Sequence, residues 1–323
     1  MYNISMRKFL SVNMILVLLL LCGCSEKKEN TDTRFMLNTF VKLTAACDDD
    51  TLDGAFEVCK EYENKLSRTV ETSEVSLLNS SNGFVEVSSD TREIIDRSIY
   101  YSEISGGKFD ITVYELSNLW DFENQIIPSK DEIAEALKNI DYQSIEINGN
   151  MVNLNGKKID LGAVTKGYIA DRLLEYFKEK GATEGIINLG GNALVFGKEY
   201  NVGIQTPFEE SKVSAVLKLK DKSAVTSGIY QRYIEKNGVI YHHILDKETG
   251  YGVENDLLSV TIIGDSSFDC DALSTVCFLI GKEQGTELIE SLSGYEAVFI
   301  DKNGELILTS GLKKTDKNTI LLK

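Results

Sequence analysis

The sequence has little proline, histidine or tryptophan. Among 323 residues there are two prolines, one tryptophan and two histidines, His242 and His243. No long low-complexity stretch and no repeat of roughly 20–50 residues is visible, which excludes a repeat array. The chain is long enough to bury a sizeable core, as one large domain or as two intertwined halves.

Basic residues are also in deficit. The chain has 34 Lys and Arg against 50 Asp and Glu, a formal net charge of −16. So acidic a chain is not expected to bind nucleic acid through its phosphates. If it binds a phosphorylated ligand, a metal ion or a few placed amides must offset the repulsion.

Cysteines are few and do not form a metal-binding pattern. Apart from Cys22 and Cys24 near the start, the chain has Cys47, Cys59, Cys270 and Cys277, at spacings that fit no zinc site. Two helical cysteines seven positions apart lie about 10 Å apart along the axis, too far for a bridge. We favour buried free thiols for all four, with a Cys47–Cys59 disulfide as the alternative in an oxidising compartment.

The N-terminus predicts export. Arg7 and Lys8 precede an apolar run at 11–21 that is too short to span a bilayer but is typical of a signal core. The Leu-Cys-Gly-Cys sequence that follows resembles a lipoprotein cleavage site. We therefore predict a signal peptide at 1–23, a lipidated Cys24, a polar linker at 24–34 and one domain at 35–323. The alternatives are an ordinary cleaved signal or a short membrane anchor.

Strand and helix patterns alternate irregularly. A strand is predicted at 34–45, a hairpin at Asn148-Gly149, a helix at 165–180 and a helix at 271–280, with several strands between. Hairpins among helices favour a mixed α+β fold, with interleaved helices, over a regular βαβ sheet.

Asp160-Leu-Gly-Ala-Val-Thr-Lys166-Gly is the first segment that suggests chemistry. A carboxylate at a strand end is followed by a helix start, where free amides and the helix dipole attract phosphate, and Lys166 adds a charge. A simpler interpretation is that Asp160 caps the helix and Lys166 is solvated.

The second segment that suggests chemistry contains Asp271, Ser274 and Thr275. On a helix they share one face, and hard oxygen donors at a helix start suit Mg²⁺. The simpler alternative is an Asp N-cap with a threonine bonded back to the helix.

The third segment joins Thr226-Ser227-Gly228 to the adjacent histidines. Neighbouring residues of a strand point to opposite faces, which is poor geometry for joint chelation. One inward histidine fits a general base, and an exposed His242 without a function is the simple alternative.

Together these segments resemble the ApbE-type FAD:protein FMN transferases, in order over nearly the whole chain. The matching motifs are Ser73-Glu-Val-Ser76-Leu-Leu-Asn79, Gly106-Gly-Lys-Phe109-Asp110-Ile-Thr112, Leu119-Trp120-Asp-Phe122, the Asp160 segment, Asn188-Leu-Gly190-Gly191-Asn192, Thr226-Ser-Gly228, His243 to Gly250, Ser259-Val-Thr261 and Asp271 to Thr275.

The resemblance implies an ApbE-like α+β fold with an FAD cleft between two halves. FMN would pass from FAD to a Thr or Ser hydroxyl of another protein, releasing AMP, with Mg²⁺ on the pyrophosphate. It implies His243 as the base, metal contacts from the Ala163 carbonyl, Asp271, Ser274 and Thr275, and FAD contacts from Leu37, Thr69, Lys108, Phe109, Asp110, Asp160, Lys166, Thr226, Ser227 and Leu245.

Three positions depart from the family pattern. Lys247 stands where proline is usual, which predicts a looser turn after Asp246. Thr69 occupies an often aromatic position, which puts ring stacking there in doubt. Ser274 replaces an acid present in some members, which leaves the metal more dependent on Asp271 and water.

The expected partners are FAD, an acceptor flavoprotein, and the outer face of the cell membrane through the lipid anchor. The chain has no acceptor motif of its own, so its target is another protein. The rival functions are FAD hydrolysis to FMN and AMP, FAD storage without turnover, and solute binding, the last disfavoured because regular βαβ halves are absent.

Overall fold

The computed structural model describes residues 28–316 and 318–323. The predicted signal peptide and Cys24 lie outside this range. The helices are α1 (Asp49–Leu66), α2 (Glu74–Ser80), α3 (Ser89–Ile104), α4 (Tyr114–Leu119), α5 (Lys130–Leu137), α6 (Thr165–Glu179), α7 (Ser267–Ile280) and α8 (Lys282–Ser291). The strands are β1 (Glu29–Met36), β2 (Thr39–Ala46), β3 (Val85–Glu86), β4 (Glu146–Asn148), β5 (Met151–Asn153), β6 (Gly185–Leu189), β7 (Asn192–Phe196), β8 (Tyr200–Thr206), β9 (Glu209–Leu219), β10 (Lys222–Gly228), β11 (Tyr233–Lys236), β12 (Val239–His242), β13 (Leu257–Gly264), β14 (Glu296–Asp301), β15 (Leu306–Leu308), β16 (Leu312–Lys314) and β17 (Thr319–Leu322).

An eight-stranded antiparallel sheet forms the centre of the molecule, in the order β1-β2-β6-β7-β10-β13-β14-β15. Because successive side chains alternate between faces, Val225 and Ile262 contribute to a core shared with the helices. Their neighbours Ala224 and Ile263 contribute to a second core on the opposite face. The sheet therefore separates two apolar layers.

A four-stranded sheet, β16-β17-β9-β8, covers that second face. The small sheets β3-β5-β4 and β11-β12 stand apart from the central one. A third apolar cluster, which contains Trp120, Ile133 and Ile234, links the β11–β12 hairpin to α4 and α5. The mixed α+β fold predicted from the sequence is confirmed.

Helices α6 and α7 cross at Gly167, and this crossing positions the site described below. A Cβ atom at residue 167 would lie 2.4 Å from the carbonyl oxygen of Ser267 and 2.8 Å from Cβ of Asp271. Only glycine allows the two backbones to approach so closely. Asp171, further along α6, accepts hydrogen bonds from the N–H groups of Ser267 and Phe268 and so caps the start of α7.

Local predictions were confirmed where the signal lay in a few adjacent residues. Ser129 and Glu132 form the predicted capping box of α5. The helix predicted at 165–180 is present as α6 and is followed by Gly181 at φ 75°. Cys59, Cys270 and Cys277 are buried free thiols, and Cys47 is also buried.

Two boundaries near residue 30 differ from the prediction. The single strand predicted at 34–45 is a hairpin of β1 and β2, turning at Leu37 and Asn38 with φ values of 53° and 57°, as a type I′ turn requires. Residues 29–34, predicted as part of a polar linker, belong to β1. No helix among the described residues is long and apolar enough to cross a membrane.

Candidate active site between α6, α7 and the central sheet

Asp271 lies in the second turn of α7, where its side chain faces α6. The helix begins at Ser267, with Ser266 as its N-cap, so the prediction of a helix start at 271 was wrong, and Asp271 is not a cap. Its carboxylate is 4% exposed and accepts a 2.8 Å hydrogen bond from the Gly167 N–H. Burial raises the pKa of Asp271, while Lys166, the Gly167 N–H and Asn192 oppose that rise.

Ala163 lies just before α6. The N-cap of the helix is Val164, and its first i→i−4 bond runs from the Tyr168 N–H to the Val164 carbonyl. The helix therefore does not use the Ala163 carbonyl oxygen, while the Gly167 N–H, a first-turn donor without an intrahelical partner, binds Asp271. This is consistent with the contact predicted for that carbonyl.

Three hydroxyl groups lie on or against the turn of α7 that follows Asp271. The Ser227 Oγ at the end of β10 is 2.7 Å from Ser274 Oγ and 3.1 Å from Thr275 Oγ1. Ser274 also donates to the Asp271 carbonyl oxygen. The structure thus brings Asp271, Ser274, Thr275 and Ser227 together, as predicted for the first three from their helical spacing.

Thr226 does not join this cluster, because it precedes Ser227 in the same strand and points to the opposite face. Its Oγ1 is 2.8 Å from Thr261 Oγ1, in a cavity of about 260 Å³ between the two sheets. The predicted FAD contact of the Thr226 side chain therefore has no support in the geometry of this cluster.

Lys166 connects the carboxylate to a histidine. The ammonium lowers the pKa of both Asp271 and His243, so both groups lie within its field. Helix α6 begins at Thr165, and its N-cap, Val164, makes no side-chain capping bond. The simpler interpretation of Asp160 as a helix cap is therefore wrong.

Asp160 instead belongs to a polar group with Arg68 and Ser117. Its Oδ2 accepts from Ser117 Oγ at 2.9 Å and lies 3.2 Å from Arg68 Nη1, while its Oδ1 accepts from the Gly162 N–H. Arg68 also lines a cleft of about 480 Å³ with Lys157 and Lys158. Sequence reasoning missed Arg68, which carries no motif signal beyond its position next to Thr69.

His243 comes directly after β12 rather than within a strand. Its Nδ1 is 3.2 Å from the Arg232 carbonyl oxygen, and because a carbonyl can only accept, the neutral ring carries its proton on Nδ1. Nε2 is then the acceptor. Burial lowers the pKa of His243, with further lowering by His242, Arg232 and Lys166, which keeps the imidazole neutral at pH 7.

His242 is a core residue, which corrects the expectation of an exposed, dispensable side chain. It is 7% exposed, packs edge-on against Phe278 with ring centroids 6.0 Å apart, and touches the Gly252 backbone. Burial lowers its pKa to about 4. We infer that it supports the fold beside His243.

Asp110 is enclosed by the protein rather than open to a ligand. Its side chain is fully buried; Oδ1 accepts from the N–H and hydroxyl of Thr112, and Oδ2 from the Tyr142 N–H and from Lys247 Nζ at 3.3 Å. The neighbouring Phe109 side chain lies in the core. The side chains of both residues are therefore enclosed by the protein, and their predicted FAD contacts stay predictions.

Lys247 makes the turn at 246–250 firmer, not looser as predicted. It reaches buried Asp110 from one side, while Lys108 pairs with Glu248 at 2.8 Å from the other. Within the turn, the Gly250 N–H donates to the Asp246 carbonyl. Two crossed ion pairs therefore join the predicted FAD segments 108–110 and 245–250.

We expect Lys247→Met to lower the free energy of unfolding by about 1–3 kcal/mol, because it keeps the apolar stem but leaves buried Asp110 without its counter-charge. The loss is smaller than for a fully buried pair, since Lys247 is 25% exposed. Urea unfolding measures it. Glu248→Gln, which breaks the exposed pair, is the control and should cost about 1 kcal/mol or less. Equal losses in the two variants would contradict the assignment, and adding Asp110→Asn to Lys247→Met should restore part of the stability.

The remaining predicted contacts are dispersed around these groups. Leu37 lies at the tip of the β1–β2 hairpin, and its N–H donates to Glu63. Thr69 is exposed, and Leu245 packs against the Trp120 cluster. These positions do not by themselves decide whether the three residues contact FAD, so the three contacts stay predictions.

The fold and the site define a class: a mixed α+β protein in which one buried carboxylate, three hydroxyls and a lysine surround a helix start, with a neutral histidine nearby. Comparison with known proteins makes the class specific. The ApbE family profile matches residues 37–299. The chain is 30% identical to an FAD:protein FMN transferase of Treponema pallidum, over 85% of this chain and 84% of that protein, and 33% identical to one of Klebsiella pneumoniae, over 79% and 83%.

A solved structure agrees. The crystal structure of the ApbE protein from Thermotoga maritima superimposes with a TM-score of 0.81 at 30% identity, covering 88% of this chain and 97% of that one. The chain belongs to the ApbE family.

Proposed function

We propose that this protein is an FAD:protein FMN transferase that uses Mg²⁺. The observation that carries the proposal is the arrangement beside Lys166: the adjacent Gly167 N–H binds buried Asp271, whose helix also carries hydroxyl donors, and the charge of Lys166 acts on a neutral His243. A site that only stored FAD would need no base. The relatives described above are named FAD:protein FMN transferases.

The donors in this site fit Mg²⁺. Asp271, Thr275, Ser274 and the Ala163 carbonyl are hard oxygen donors, and Mg²⁺ takes few protein ligands when substrate phosphates and water complete its shell. The Asp271 carboxylate, which accepts the Gly167 N–H, keeps lone pairs for a cation. Bound there, Mg²⁺ would offset pyrophosphate charge and act as a Lewis acid on the phosphoryl group.

The chain's own residues account for the remaining steps. Lys166, at the positive end of the α6 dipole, would bind the phosphates of FAD, which an acidic protein otherwise repels. The Nε2 atom of His243 would accept the proton of the acceptor hydroxyl. The hydroxyl oxygen would then form a bond to the FMN phosphorus as the bond to AMP breaks, and AMP would leave with the electron pair.

Incubation with FAD, Mg²⁺ and a flavoprotein that bears an acceptor Thr or Ser tests the proposal. We expect AMP release together with a mass increase on the acceptor equal to FMN minus water. AMP release with free FMN and an unmodified acceptor would identify a hydrolase instead. FAD binding without AMP release would identify a binding protein.

We further propose that the protein is held at the outer face of the cell membrane by acylated Cys24, in reach of membrane or secreted flavoproteins. The apolar run at 11–21 and the cysteine that follows it support this. We expect Cys24→Ala to yield protein without an acylated mass, either uncleaved or released. Fractionation and intact-mass measurement check it, with Cys47→Ala as the control. A Cys24→Ala protein that still carried acyl chains would refute the anchor.

A further inference from the structure

Asn192 is a buried amide that the proposed function has not yet used. It is the first residue of β7 and is 2% exposed. Its Nδ2 has no hydrogen-bond partner among the described residues. A buried amide donor without a partner costs on the order of 1–3 kcal/mol, so a native protein keeps one where a ligand or a rearranged neighbour will satisfy it.

The backbone holds Asn192 in place. It closes a tight turn from Leu189, through Gly190 and Gly191 with φ values of 61° and 103°, in the left-handed region that favours glycine. It also pairs with Val225 of β10. Strand alternation puts its side chain on the same sheet face as Leu194 and Val225, which belong to the core shared with the helices.

That face is the one against which α7 packs, and Asn192 lies close to Asp271 there. Val225, the partner of Asn192 in β10, is two residues before Ser227 on that face, and Ser227 Oγ lies 2.7 Å from Ser274 Oγ and 3.1 Å from Thr275 Oγ1 of α7. The Asn192 amide therefore faces α7 next to the turn that carries Asp271, and its Nδ2 makes no hydrogen bond within the described residues. The bond that the carboxylate accepts, from Gly167, comes from α6. Asp271 therefore has a donor supplied by α6 and a second donor, not yet engaged, supplied by the sheet.

We infer that Asn192 is a positioning residue for the metal site. Its Nδ2 donates to the Asp271 carboxylate in the loaded enzyme, and this hydrogen bond orients the remaining lone pairs of the carboxylate toward the cation. The inference rests on the proposed function. Metal ligands are commonly oriented by such a second hydrogen bond, and loss of the bond typically costs about 10–100-fold in metal affinity. This role also explains why a Gly-Gly-Asn sequence stands at this turn.

The test uses the protein with FAD and titrates Mg²⁺ while following the melting temperature. Asn192→Leu removes the amide while keeping the branch at Cγ, and Asn192→Ser, which keeps a shorter donor and is smaller, guards against misfolding of the first variant. Leu194→Ala is the matched control, since it changes the same strand and the same face without touching a polar group. FAD binding in EDTA is measured in parallel as a readout independent of the metal.

We expect Asn192→Leu to need at least about tenfold more Mg²⁺ for half of the stabilisation, Asn192→Ser to fall between it and the wild type, and FAD binding in EDTA to stay unchanged. Leu194→Ala should lower the melting temperature at every Mg²⁺ concentration without moving the midpoint. The inference is overturned if the Asn192 variants reach half of the stabilisation at the wild-type Mg²⁺ concentration, or if they show the pattern of Leu194→Ala, in an experiment where the wild type releases AMP. A wild type that released no AMP would instead overturn the proposed function.

Discussion

Replacement of Asp271 by alanine should abolish AMP release from FAD at ordinary Mg²⁺ concentrations, with weak FAD binding retained. Asp271 supplies the only carboxylate of the cluster formed with Ser227, Ser274 and Thr275. Lewis-acid stabilisation is worth several kcal/mol and about 1.4 kcal/mol is a factor of ten, so we expect a loss on the order of 10³-fold or more. Measurement of AMP by chromatography over a range of Mg²⁺ concentrations checks it.

Asp271→Asn sharpens this test, because it keeps an acceptor for the Gly167 N–H while removing the charge. We expect it to be as inactive as the alanine variant and to fold at least as well, since burial of an unpaired carboxylate is unfavourable. Asp265→Ala is the matched control: this residue lies just before α7, is largely exposed and pairs with Lys222. Full activity of the wild type in EDTA would contradict both the metal site and its role in offsetting the acidic charge.

Replacement of His243 by alanine should leave FAD affinity nearly intact while FMN transfer falls at least about 100-fold. A positioned base contributes roughly 10²–10⁴-fold to such a step, and it acts on the acceptor hydroxyl rather than on the nucleotide. The Arg232 carbonyl holds the proton on Nδ1, which leaves Nε2 to accept. Titration of FAD binding and measurement of the transfer rate separate the two effects, and added imidazole should restore part of the rate.

His242→Ala is the informative comparison, and the structure changes what it should do. Because His242 packs against Phe278 in the core, its loss should reduce stability by about 1–3 kcal/mol. Transfer per folded molecule should remain near the wild-type rate at a permissive temperature. Equal losses of transfer in both variants, or a His243 variant unable to bind FAD, would mean that His243 supports structure or cofactor instead.

The sequence predicted whatever depends on near neighbours. Asp271, Ser274 and Thr275 lie together because residues three and four apart share a helix face, and this holds wherever the helix begins. The capping box at Ser129 and Glu132 is equally local. The start of α7 was misplaced although Ser266 caps it locally by accepting from the Asp269 N–H. The second part of the cap is Asp171, which is 97 residues from Phe268, and no short-range pattern reports that part.

What the sequence by itself determined was therefore the α+β class, the family and the residue types available for chemistry. Tertiary structure alone decided which of those residues meet. The Gly167–Asp271 bond joins residues 104 apart, and the Lys247–Asp110 pair joins residues 137 apart. Thr226 and Ser227 are adjacent in sequence, but the register of β10 sends one to the inter-sheet cavity and the other to α7. A motif specifies donors and charges, whereas the packing of α6, α7 and the central sheet determines which carboxylate is buried and which face a hydroxyl occupies.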